Sequence, residues 1–470
     1  MILEQTSRIF EDKENLFVSK NTFHLVSLGC AKNTVDSDSM AQLLIRDGYR
    51  AVEDPARANV LIVNTCGFIG PAKEESINVL RELAEGKRKS QILIAAGCLT
   101  QRYGTEVAVK VPGIDGMLGT RRWMDIVQVV RELRKSPHPA PLYHLPDEAK
   151  TVGKDEHEAL RVSVAGASAY IKIADGCRRP CAFCAIPLIK GTAVSRPINL
   201  IVEEARQLRD AGVRELILIA QDTTDFGHDL GIKDGLAVLL EQLTDSVPDM
   251  DWIRVMYAYP GYVTDRLIEV MATRKQVLPY LDMPLQHAHP KTLYRMRRPS
   301  NIDWVHRTLG KMRATIPNLS IRTTFIVGYP GETEEEFQAL IDFVQETRFD
   351  RVGTFQFSFE PGTTSEPLGD PISAEVKQER YERLMELQQG ISLQVNQSYV
   401  GKTLDVLVEG GDRGIVIGRS YRDAPEIDGM VFIEGNAPIG EIVPVRITGA
   451  LAYDLTGVPE KKSIPLEVIR

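Results

Sequence analysis

The chain has few of the features that mark secreted or membrane proteins. Only six of its 470 residues are cysteine, and nothing in the sequence points to the oxidising compartment in which disulfides form. No apolar run approaches the ~20 residues of a bilayer-crossing helix. Residues 1–20 mix charged and apolar side chains and lack the apolar stretch of a signal peptide. We therefore expect a cytoplasmic protein without membrane contact, whose reduced cysteines are free to bind metal.

An excess of basic residues is also missing. The chain carries 56 Lys and Arg against 64 Asp and Glu, so its net charge is −8 and its pI is near 5.7. Proteins that bind nucleic acid through its phosphates are usually basic, because phosphate neutralisation drives that affinity. The overall charge therefore suits a basic partner better, although a local basic patch could override it.

Three of the cysteines lie within eight residues. Cys177, Cys181 and Cys184 have the spacing C-x3-C-x2-C and follow an apolar run, 169–174, that is typical of a strand. Three thiolates this close can hold three corners of a four-iron, four-sulfur cluster and leave the fourth iron open to a small molecule. A structural zinc site would need a fourth ligand, and none is obvious nearby. Disulfides and three unrelated buried cysteines are the remaining alternatives.

The N-terminal region alternates apolar strands with helices. Strands are predicted at 23–28, 59–63 and 91–96, with helices over 38–48 and 74–85 between them. Continuous apolar strands of this kind form a parallel sheet that is covered on both faces. We therefore predict a small doubly wound parallel-sheet α/β domain.

A cysteine follows each strand of that predicted domain. Cys30, Cys66 and Cys98 stand beside a glycine or in a polar turn rather than inside a strand. Ligands of open parallel sheets bind at the carboxyl ends of the strands, so these three residues can converge there although they are 36 and 32 positions apart. The pattern favours a second three-cysteine cluster site. The alternative is three buried cysteines that pack as small hydrophobes.

The rest of the chain divides into a linker, a larger barrel and a small β-module. Prolines interrupt helix and sheet alike in the linker, and six strands joined by helices predict an open partial (β/α)6 barrel with its active site at the C-terminal strand ends. Short strands separated by glycines and polar turns predict a small closed all-β barrel of OB-like type. We place the domains at 22–136, 137–160 (linker), 161–395 (barrel and connecting helix) and 396–470. The six barrel strands are predicted at 170–174, 215–220, 252–257, 280–283, 320–327 and 351–359.

The cysteine loop, with an aromatic residue just before its third cysteine, resembles the signature of the radical S-adenosylmethionine (SAM) enzymes. The order of N-terminal cysteines, barrel and β-module resembles the methylthiotransferases over nearly the whole chain, and the final module is similar to their TRAM domain. The matching stretches are 27–33, 35–37, 64–69, 96–98 and 171–177. This resemblance implies SAM and two 4Fe–4S clusters. The barrel cluster would generate a radical from SAM, the N-terminal cluster would hold or deliver sulfur, and a second SAM would supply the methyl group.

Two branches of that family differ in substrate. One modifies an isopentenylated adenosine in tRNA, and the other modifies the β-carbon of an aspartate in the small-subunit ribosomal protein S-twelve. The stretches that resemble the second branch are 29–33, 221–224, 283–287, 297–299, 322–326 and 420–429. The resemblance therefore implies ribosomal protein S-twelve as substrate, with tRNA as the alternative, and it implies an external electron donor and a sulfur source.

The charge of the final module agrees with a protein substrate. Residues 398–470 contain 11 Asp and Glu against 8 Lys and Arg, a net charge of −3. An RNA-binding barrel would usually be basic, whereas an acidic one complements a lysine-rich ribosomal protein. A non-catalytic alternative is an iron–sulfur electron carrier joined to an RNA-binding barrel. A carrier needs no substrate chamber, so the polar residues at the barrel strand ends argue against it.

Roles for individual residues follow from the cysteine pattern, the resemblance and the barrel-edge positions. Cys177, Cys181 and Cys184 are the expected ligands of the barrel cluster, and Cys30, Cys66 and Cys98 those of the second cluster. The candidate SAM contacts are Phe183, Gln221, Gln286, Arg322 and Gly328. A structural alternative exists for several of them: packing beneath the cluster for Phe183, an interior ion pair for Arg322, and a glycine-dependent turn at Gly328. His287 and His289 could contact SAM or substrate, or act as hydrogen-bonded structural groups.

Overall fold

The computed structural model describes residues 21–135, 141–146, 157–412 and 414–460. Parts of the predicted linker, 137–140 and 147–156, lie outside these ranges. None of the helices in the described ranges combines the length and apolarity that a membrane span requires.

The first domain is a parallel sheet with helices on both faces. Its strands are β1 (Thr22–Ser27), β2 (Arg50–Ala51), β3 (Val60–Thr65), β4 (Ile92–Gly97), β5 (Gly116–Gly119) and β6 (Leu142–His144), arranged β2-β1-β3-β4-β5-β6. Its helices are α1 (Ala31–Arg46), α2 (Gly70–Gly86), α3 (Cys98–Lys110) and α4 (Ile126–Lys135). Successive residues of β3 face opposite sides of the sheet. Ile62 packs in one core with α1 and α4, whereas Val63 packs in the other core with α2 and α3. The predicted doubly wound domain is confirmed.

Three strands of this sheet were not predicted: β2, β5 and β6. β5 reads Gly-Met-Leu-Gly and carries no strand signal. Its glycines are required by neighbours, since a Cβ at Gly116 would lie 2.6 Å from Leu133 Cδ1 and one at Gly119 would lie 2.2 Å from Gln101 Oε1. β6 lies inside the predicted linker and pairs with β5. The neighbouring prolines made a strand at this position hard to predict, because proline is rare in sheets.

The second domain is an open barrel. After β7 (Val162–Ala165) come β8 (Ser168–Lys172), β9 (Ala174–Asp175), β10 (Val194–Ser195), β11 (Glu215–Ile219), β12 (Trp252–Val255), β13 (Val277–Asp282), β14 (Ser320–Val327) and β15 (Arg351–Gln356). Seven of the described strands form one sheet in the order β15-β14-β13-β12-β11-β8-β7, in which only β7 is antiparallel and which does not close on itself. The short β9 and β10 pair with each other in a separate antiparallel sheet. The helices are α5 (Ile186–Lys190), α6 (Ile198–Asp210), α7 (Gly235–Ser246), α8 (Asp265–Thr273), α9 (Pro290–Arg295), α10 (Ile302–Thr315), α11 (Glu334–Thr347) and the connecting α12 (Ala374–Gln397). The six predicted parallel strands are present, so the partial (β/α)6 barrel is confirmed.

The third domain is a closed five-stranded barrel. Its strands are β16 (Thr403–Asp412), β17 (Ile415–Ser420), β18 (Val431–Glu434), β19 (Ile442–Ala450) and β20 (Leu455–Pro459), in the closed order β16-β17-β18-β20-β19. Its core contains one buried aliphatic row, with Val406, Ile433 and Val445 fully buried. The predicted small all-β barrel is confirmed.

The loop between β17 and β18 packs into the larger barrel. Asp423 accepts a hydrogen bond from Arg351 at 2.7 Å, and Asp428 accepts one from the Tyr280 hydroxyl at 2.6 Å. Ala424, between them, is buried in the same apolar cluster as Tyr280. The loop therefore fixes the third domain on the barrel and uses two of the module's acidic residues internally.

A buried group of five charges joins the first domain to the barrel. Asp36 of α1 pairs with Arg161 at 2.5 Å, Lys172 at 2.5 Å and Lys190 at 2.9 Å. Asp175 pairs with the same three cations, at 3.0, 2.5 and 3.4 Å. Burial would raise the pKa of Asp36, but Lys172, Lys190 and Arg161 hold it well below its ordinary value. One carboxylate of the first domain is thus neutralised entirely by cations of the second.

Replacing Asp36 tests that junction. Asp36→Asn leaves three buried cations with one carboxylate, and breaking a buried ion pair typically costs about 3–5 kcal/mol. We expect a lower Tm by calorimetry at pH 7. The matched control is Asp47→Asn, because Asp47 pairs with Arg131, whose side chain is 62% exposed, and exposed pairs contribute about 0–1 kcal/mol. Equal losses in the two variants would contradict the role of Asp36.

The neighbouring Asp38 gives a pH-dependent prediction. Burial raises its pKa to about 6 from an ordinary 3.8, and its Oδ2 has no hydrogen-bond partner among the described residues. A carboxyl with a raised folded pKa favours the folded state less and less as pH rises from about 4 through 6. Ionised Asp38 costs up to roughly 3 kcal/mol of stability at pH 8 and about half of that at pH 5. Asp38→Asn removes this cost, so it should raise Tm more at pH 8 than at pH 5. An equal change in Tm at both values would show that Asp38 titrates normally.

Candidate active site

The C-x3-C-x2-C loop follows β9 and is fixed through its backbone. Gly176 has φ +73°, and a Cβ there would lie 2.0 Å from the carbonyl oxygen of Thr192, so only glycine fits before the first cysteine. The Cys177 N–H donates to the Gly191 carbonyl at 3.0 Å. The Ala182 N–H donates to the Met296 carbonyl at 2.9 Å, and the Ala182 carbonyl accepts from the backbone N–H of Ser365 at 2.9 Å. The loop is therefore held from three parts of the barrel.

Backbone N–H groups approach two of its sulfur atoms. The Arg179 N–H lies 3.4 Å from Cys177 Sγ, and the Ile186 N–H lies 3.5 Å from Cys184 Sγ. Burial raises the pKa of Cys177 to about 11 and raises that of Cys184 still further. Both therefore remain thiols at neutral pH unless a metal displaces the proton. N–H donors to sulfur are the contacts by which proteins tune an iron–sulfur cluster.

The third sulfur lies among charged and aromatic groups. Arg298 Nη1 is 3.6 Å from Cys181 Sγ, and the Tyr259 hydroxyl is 3.9 Å from the same atom. Arg298 also stacks on the Tyr259 ring at 4.1 Å, and Arg179 stacks on Tyr262 at 3.5 Å. A cation beside a sulfur stabilises the thiolate form that an iron requires. The donor set fits an iron–sulfur cluster.

The other three cysteines meet at the carboxyl edge of the first sheet. A Cβ at Gly29 would lie 2.9 Å from Cys66 Cβ, and a Cβ at Gly67 would lie 2.9 Å from the carbonyl carbon of Cys98. The glycines thus let the three loops approach closely. Cys30 caps α1 and Cys98 begins α3, and helix N-termini favour thiolates. This convergence matches the predicted second site.

The two helix-start cysteines differ electrostatically. Burial raises the pKa of Cys98 to about 12. Desolvation would also raise the pKa of Cys30, but the charge of Lys32 and the nearby N–H groups outweigh it, so the pKa of Cys30 is lowered. In the described ranges, no group of three or more His, Cys, Asp or Glu side chains is close enough together to hold a single metal ion. Each thiolate of a four-iron cluster binds a different iron, so its ligands stand further apart than those of one ion.

The two cysteine triplets lie against each other across the domain junction. Cys98 forms a buried cluster with Ala185 and Ile189, and Ala185 directly follows Cys184. The second site is therefore adjacent to the helix that continues from the first. Clusters held at these two positions would face a shared space between the domains.

Three of the candidate SAM contacts remain available to a ligand. Phe183 is half-buried and packs against Met296 and Phe357. The amides of Gln221 and Gln286 are partly exposed and make no side-chain hydrogen bond to any described residue. Gln286 has φ +76°, and its backbone N–H and carbonyl form hydrogen bonds with β14, so its position is fixed through the backbone. All three lie at strand ends or in the cysteine loop.

Arg322 is paired inside the barrel. Its guanidinium pairs with Asp282 at 2.9 Å and with Asp428 at 3.4 Å. These two ion pairs and the burial of the side chain agree with the structural role given above as the alternative to a SAM contact, an ion pair inside the barrel. The sequence could not show this, because Asp428 comes from the third domain.

Gly328 serves a turn rather than a ligand. Its φ is +72°, a Cβ there would lie 2.4 Å from Lys377 Cγ, and its N–H donates to Glu332. His287 is likewise structural, since its Nε2 lies 3.0 Å from Glu332 Oε1 and both side chains are fully buried. His289 lies 3.7 Å from Glu336. Phe183, Gln221 and Gln286 are the predicted SAM contacts that have no structural role of this kind in the described residues; all five remain predictions.

Four residues near the cysteines had no predicted role: Lys32, Tyr257, Tyr259 and Arg298. Lys32 Nζ lies 3.1 Å above the Tyr257 ring centroid. Tyr259 follows a predicted barrel strand, and Arg298 lies in a stretch that resembles the family. Their sequence positions therefore indicated a place near the site. Nothing in the sequence indicated that the backbone of Tyr257 is left-handed, with φ +62°.

Comparisons with known proteins agree with this architecture. Three family models match in order: "Uncharacterized protein family UPF0004" at 22–119, the Radical SAM superfamily at 171–344 and the TRAM domain at 400–459. The ribosomal protein uS12 methylthiotransferase RimO of Chloroflexus aurantiacus is 49% identical over 450 residues, which is 93% of this chain and 99% of the relative. RimO of a Roseiflexus species is 47% identical, covering 93% of this chain and 96% of the relative.

A solved structure shares the fold. The radical SAM methyltransferase TsrM of Kitasatospora setae, with cobalamin and a 4Fe–4S cluster bound, superposes with a TM-score of 0.54. It is 12% identical and covers 85% of this chain and 80% of its own. At that identity the likeness concerns the fold alone.

Iron content tests the two sites. Anaerobically reconstituted protein should bind about eight irons under the two-cluster interpretation. Cys184→Ala and Cys98→Ala should each retain about four, because each removes a ligand of a different cluster. Iron and sulfide analysis with the electronic absorption spectrum is the measurement. About four irons in the unaltered protein would contradict the N-terminal site.

Proposed function

The chain belongs to the ribosomal protein uS12 methylthiotransferases of the radical SAM superfamily, and from that premise we propose that it attaches a methylthio group to the β-carbon of an aspartate in uS12. Identity of 49% over 93% of the chain supports the activity. The six cysteines lie in two adjacent triplets, which provide ligands for the two clusters that the activity requires. The enzyme uses two 4Fe–4S clusters and SAM.

We assign Cys177, Cys181 and Cys184 to the SAM-activating cluster. When bound, this cluster and SAM supply a radical that removes a hydrogen atom from an unactivated carbon, and the protein contributes binding, orientation and exclusion of water. Arg298 and Tyr259 lie beside the sulfur of Cys181 and help to position it. Phe183, Gln221 and Gln286 offer an aromatic face and two free amides to SAM.

We assign Cys30, Cys66 and Cys98 to the cluster that provides sulfur. The packing of Cys98 against Ala185, one residue from Cys184, supports transfer between neighbouring sites rather than over a distance. The pKa of Cys30, at the N-terminus of α1, is lowered, whereas the buried thiol of Cys98 would lose its proton to a bound iron. A sulfur source and an external one-electron donor are needed in addition, and the cytoplasm is the compartment in which these thiols stay reduced.

The surface of the third domain supports a basic protein as substrate. Two of its four described cations, Arg419 and Arg422, are buried, which leaves Lys402 and Arg446 exposed. The exposed acidic residues are Asp405, Glu409, Asp412, Glu426, Glu434, Glu441 and Glu460. The described face of this domain is therefore more acidic than its composition suggests. Ribosomal proteins are generally basic because they bind RNA, so such a face attracts uS12 and repels tRNA.

Mass spectrometry of cells that lack the protein tests the function. We expect uS12 to lose the mass of one methylthio group while tRNA keeps its modifications. The wild-type gene should restore the mass, whereas Cys66→Ala should not, although purified Cys66→Ala should still cleave SAM. Loss of the tRNA modification with uS12 unchanged would overturn the proposed substrate.

A further inference from the structure

The loop between β17 and β18, residues 421–430, brings the third domain towards the second cysteine site. Its Ala424 is buried in an apolar cluster that also contains Tyr170 of β8 and Ala31 of α1. Ala31 directly follows Cys30 in the sequence. All three domains therefore contribute to this cluster, which extends from the loop to the residue beside Cys30.

The loop is fixed on both sides of Glu426. Asp423 and Asp428 anchor it to the barrel through the contacts described above, and the Ala424 N–H donates to the Asp428 carboxylate at 2.9 Å, which closes the loop. Glu426 lies between these anchors with φ +69°, a left-handed conformation that is uncommon for a residue with a side chain. Such a conformation persists where the surrounding structure imposes it, and it occurs most often at functional sites.

The charge of Glu426 acts on side chains of the barrel interior. Burial raises the pKa of Tyr170, and the charge of Glu426 raises it further. Burial also raises the pKa of Tyr257, where Cys30 and Glu426 are among the charges that add to the rise. Glu426 of the third domain and Cys30 of the first therefore both lie close enough to affect the same tyrosine.

The other two acidic side chains of the loop are used by the fold, whereas that of Glu426 is available. Asp423 and Asp428 form the anchors. Glu426 is exposed, and no hydrogen bond or ion pair joins its carboxylate to another residue in the described part of the chain. A four-iron cluster with thiolate ligands carries a net negative charge, so a bound cluster would not neutralise this carboxylate. The group that Glu426 is suited to bind is therefore a cation.

We propose that Glu426 binds a lysine or arginine side chain of uS12 close to the target aspartate, so that the third domain contributes a specificity-determining residue to the active site. This inference rests on the proposed function. Ribosomal proteins are rich in lysine and arginine because they bind RNA. Hydrogen bonds between charged groups are among the stronger polar contacts. One such contact beside the aspartate fixes the position of the substrate loop in the barrel.

The same carboxylate disfavours tRNA. A nucleotide in this position would bring phosphates, which a carboxylate repels, and an adenosine base carries no permanent positive charge. Glu426 therefore selects a basic peptide over tRNA at short range. The acidic residues on the outer face of the third domain act on the same choice at longer range, where salt screens them.

A double-mutant cycle tests the proposal. A fluorescent peptide carries the modified loop of uS12, and a series of peptides has each lysine or arginine of that loop changed singly to methionine. Binding to reconstituted protein is measured by anisotropy without reductant, so that no turnover occurs. In the unaltered protein, the change at one position should weaken binding about 10-fold. Glu426→Gln should weaken binding of the unchanged peptide by a similar factor, and the change at that position should then have no further effect.

Glu434→Gln is the matched control. Glu434 is an exposed carboxylate on β18 of the same domain, outside the loop. Its removal takes away the same charge, so it should weaken binding of all the peptides alike and leave the preference at the selected position intact. Equal behaviour of the Glu426 and Glu434 variants would show that Glu426 contributes only general charge, which overturns the proposal.

Three further readouts separate the proposal from other roles of Glu426. Glu426→Gln should keep about eight irons, the same Tm and the same affinity for SAM by equilibrium dialysis. Weaker SAM binding would assign Glu426 to the cationic cofactor, and a lowered Tm with unchanged peptide discrimination would assign it to packing; either result overturns the proposal. If the unaltered protein modifies the uS12 peptide but no lysine or arginine couples to Glu426, this inference fails while the proposed function stands.

Discussion

The buried ion group around Asp36 is the interaction on which the site depends. It joins one carboxylate of the first domain to three cations of the barrel, for which the barrel itself supplies only one carboxylate, Asp175. The same contacts fix the carboxyl edge of the first sheet against the loop that carries Cys184. Two cysteine triplets with 78 residues of sequence between them, from Cys98 to Cys177, thereby become neighbours.

The first two turns of α1 carry residues with several of these roles. Cys30 caps the helix, Lys32 follows in its first turn, and Asp36 lies one turn further along. One short segment thus carries a cluster ligand, the cation that lowers the pKa of that ligand, and the carboxylate that anchors the domain.

Much of this could be predicted from the sequence, for physical reasons. Apolar strands of buried parallel sheets and closely spaced cysteines leave strong local signals, so the three-domain order and the fold of each domain were predicted correctly. Contacts between domains leave no such signal. Arg322 pairs with Asp428 of the third domain, and Lys32 lies on Tyr257 of the second. β5 and β6 were missed because glycine and neighbouring prolines erase the pattern of a strand.

The central claim is that two clusters face each other across the junction that Asp36 holds. Electron paramagnetic resonance of the reconstituted, fully reduced protein tests it most directly, because two paramagnetic clusters at neighbouring sites interact magnetically. The account predicts a spin-coupled spectrum that becomes a simple, uncoupled one in either Cys98→Ala or Cys184→Ala. A spectrum of the unaltered protein equal to the sum of the two single-cluster variants would contradict it.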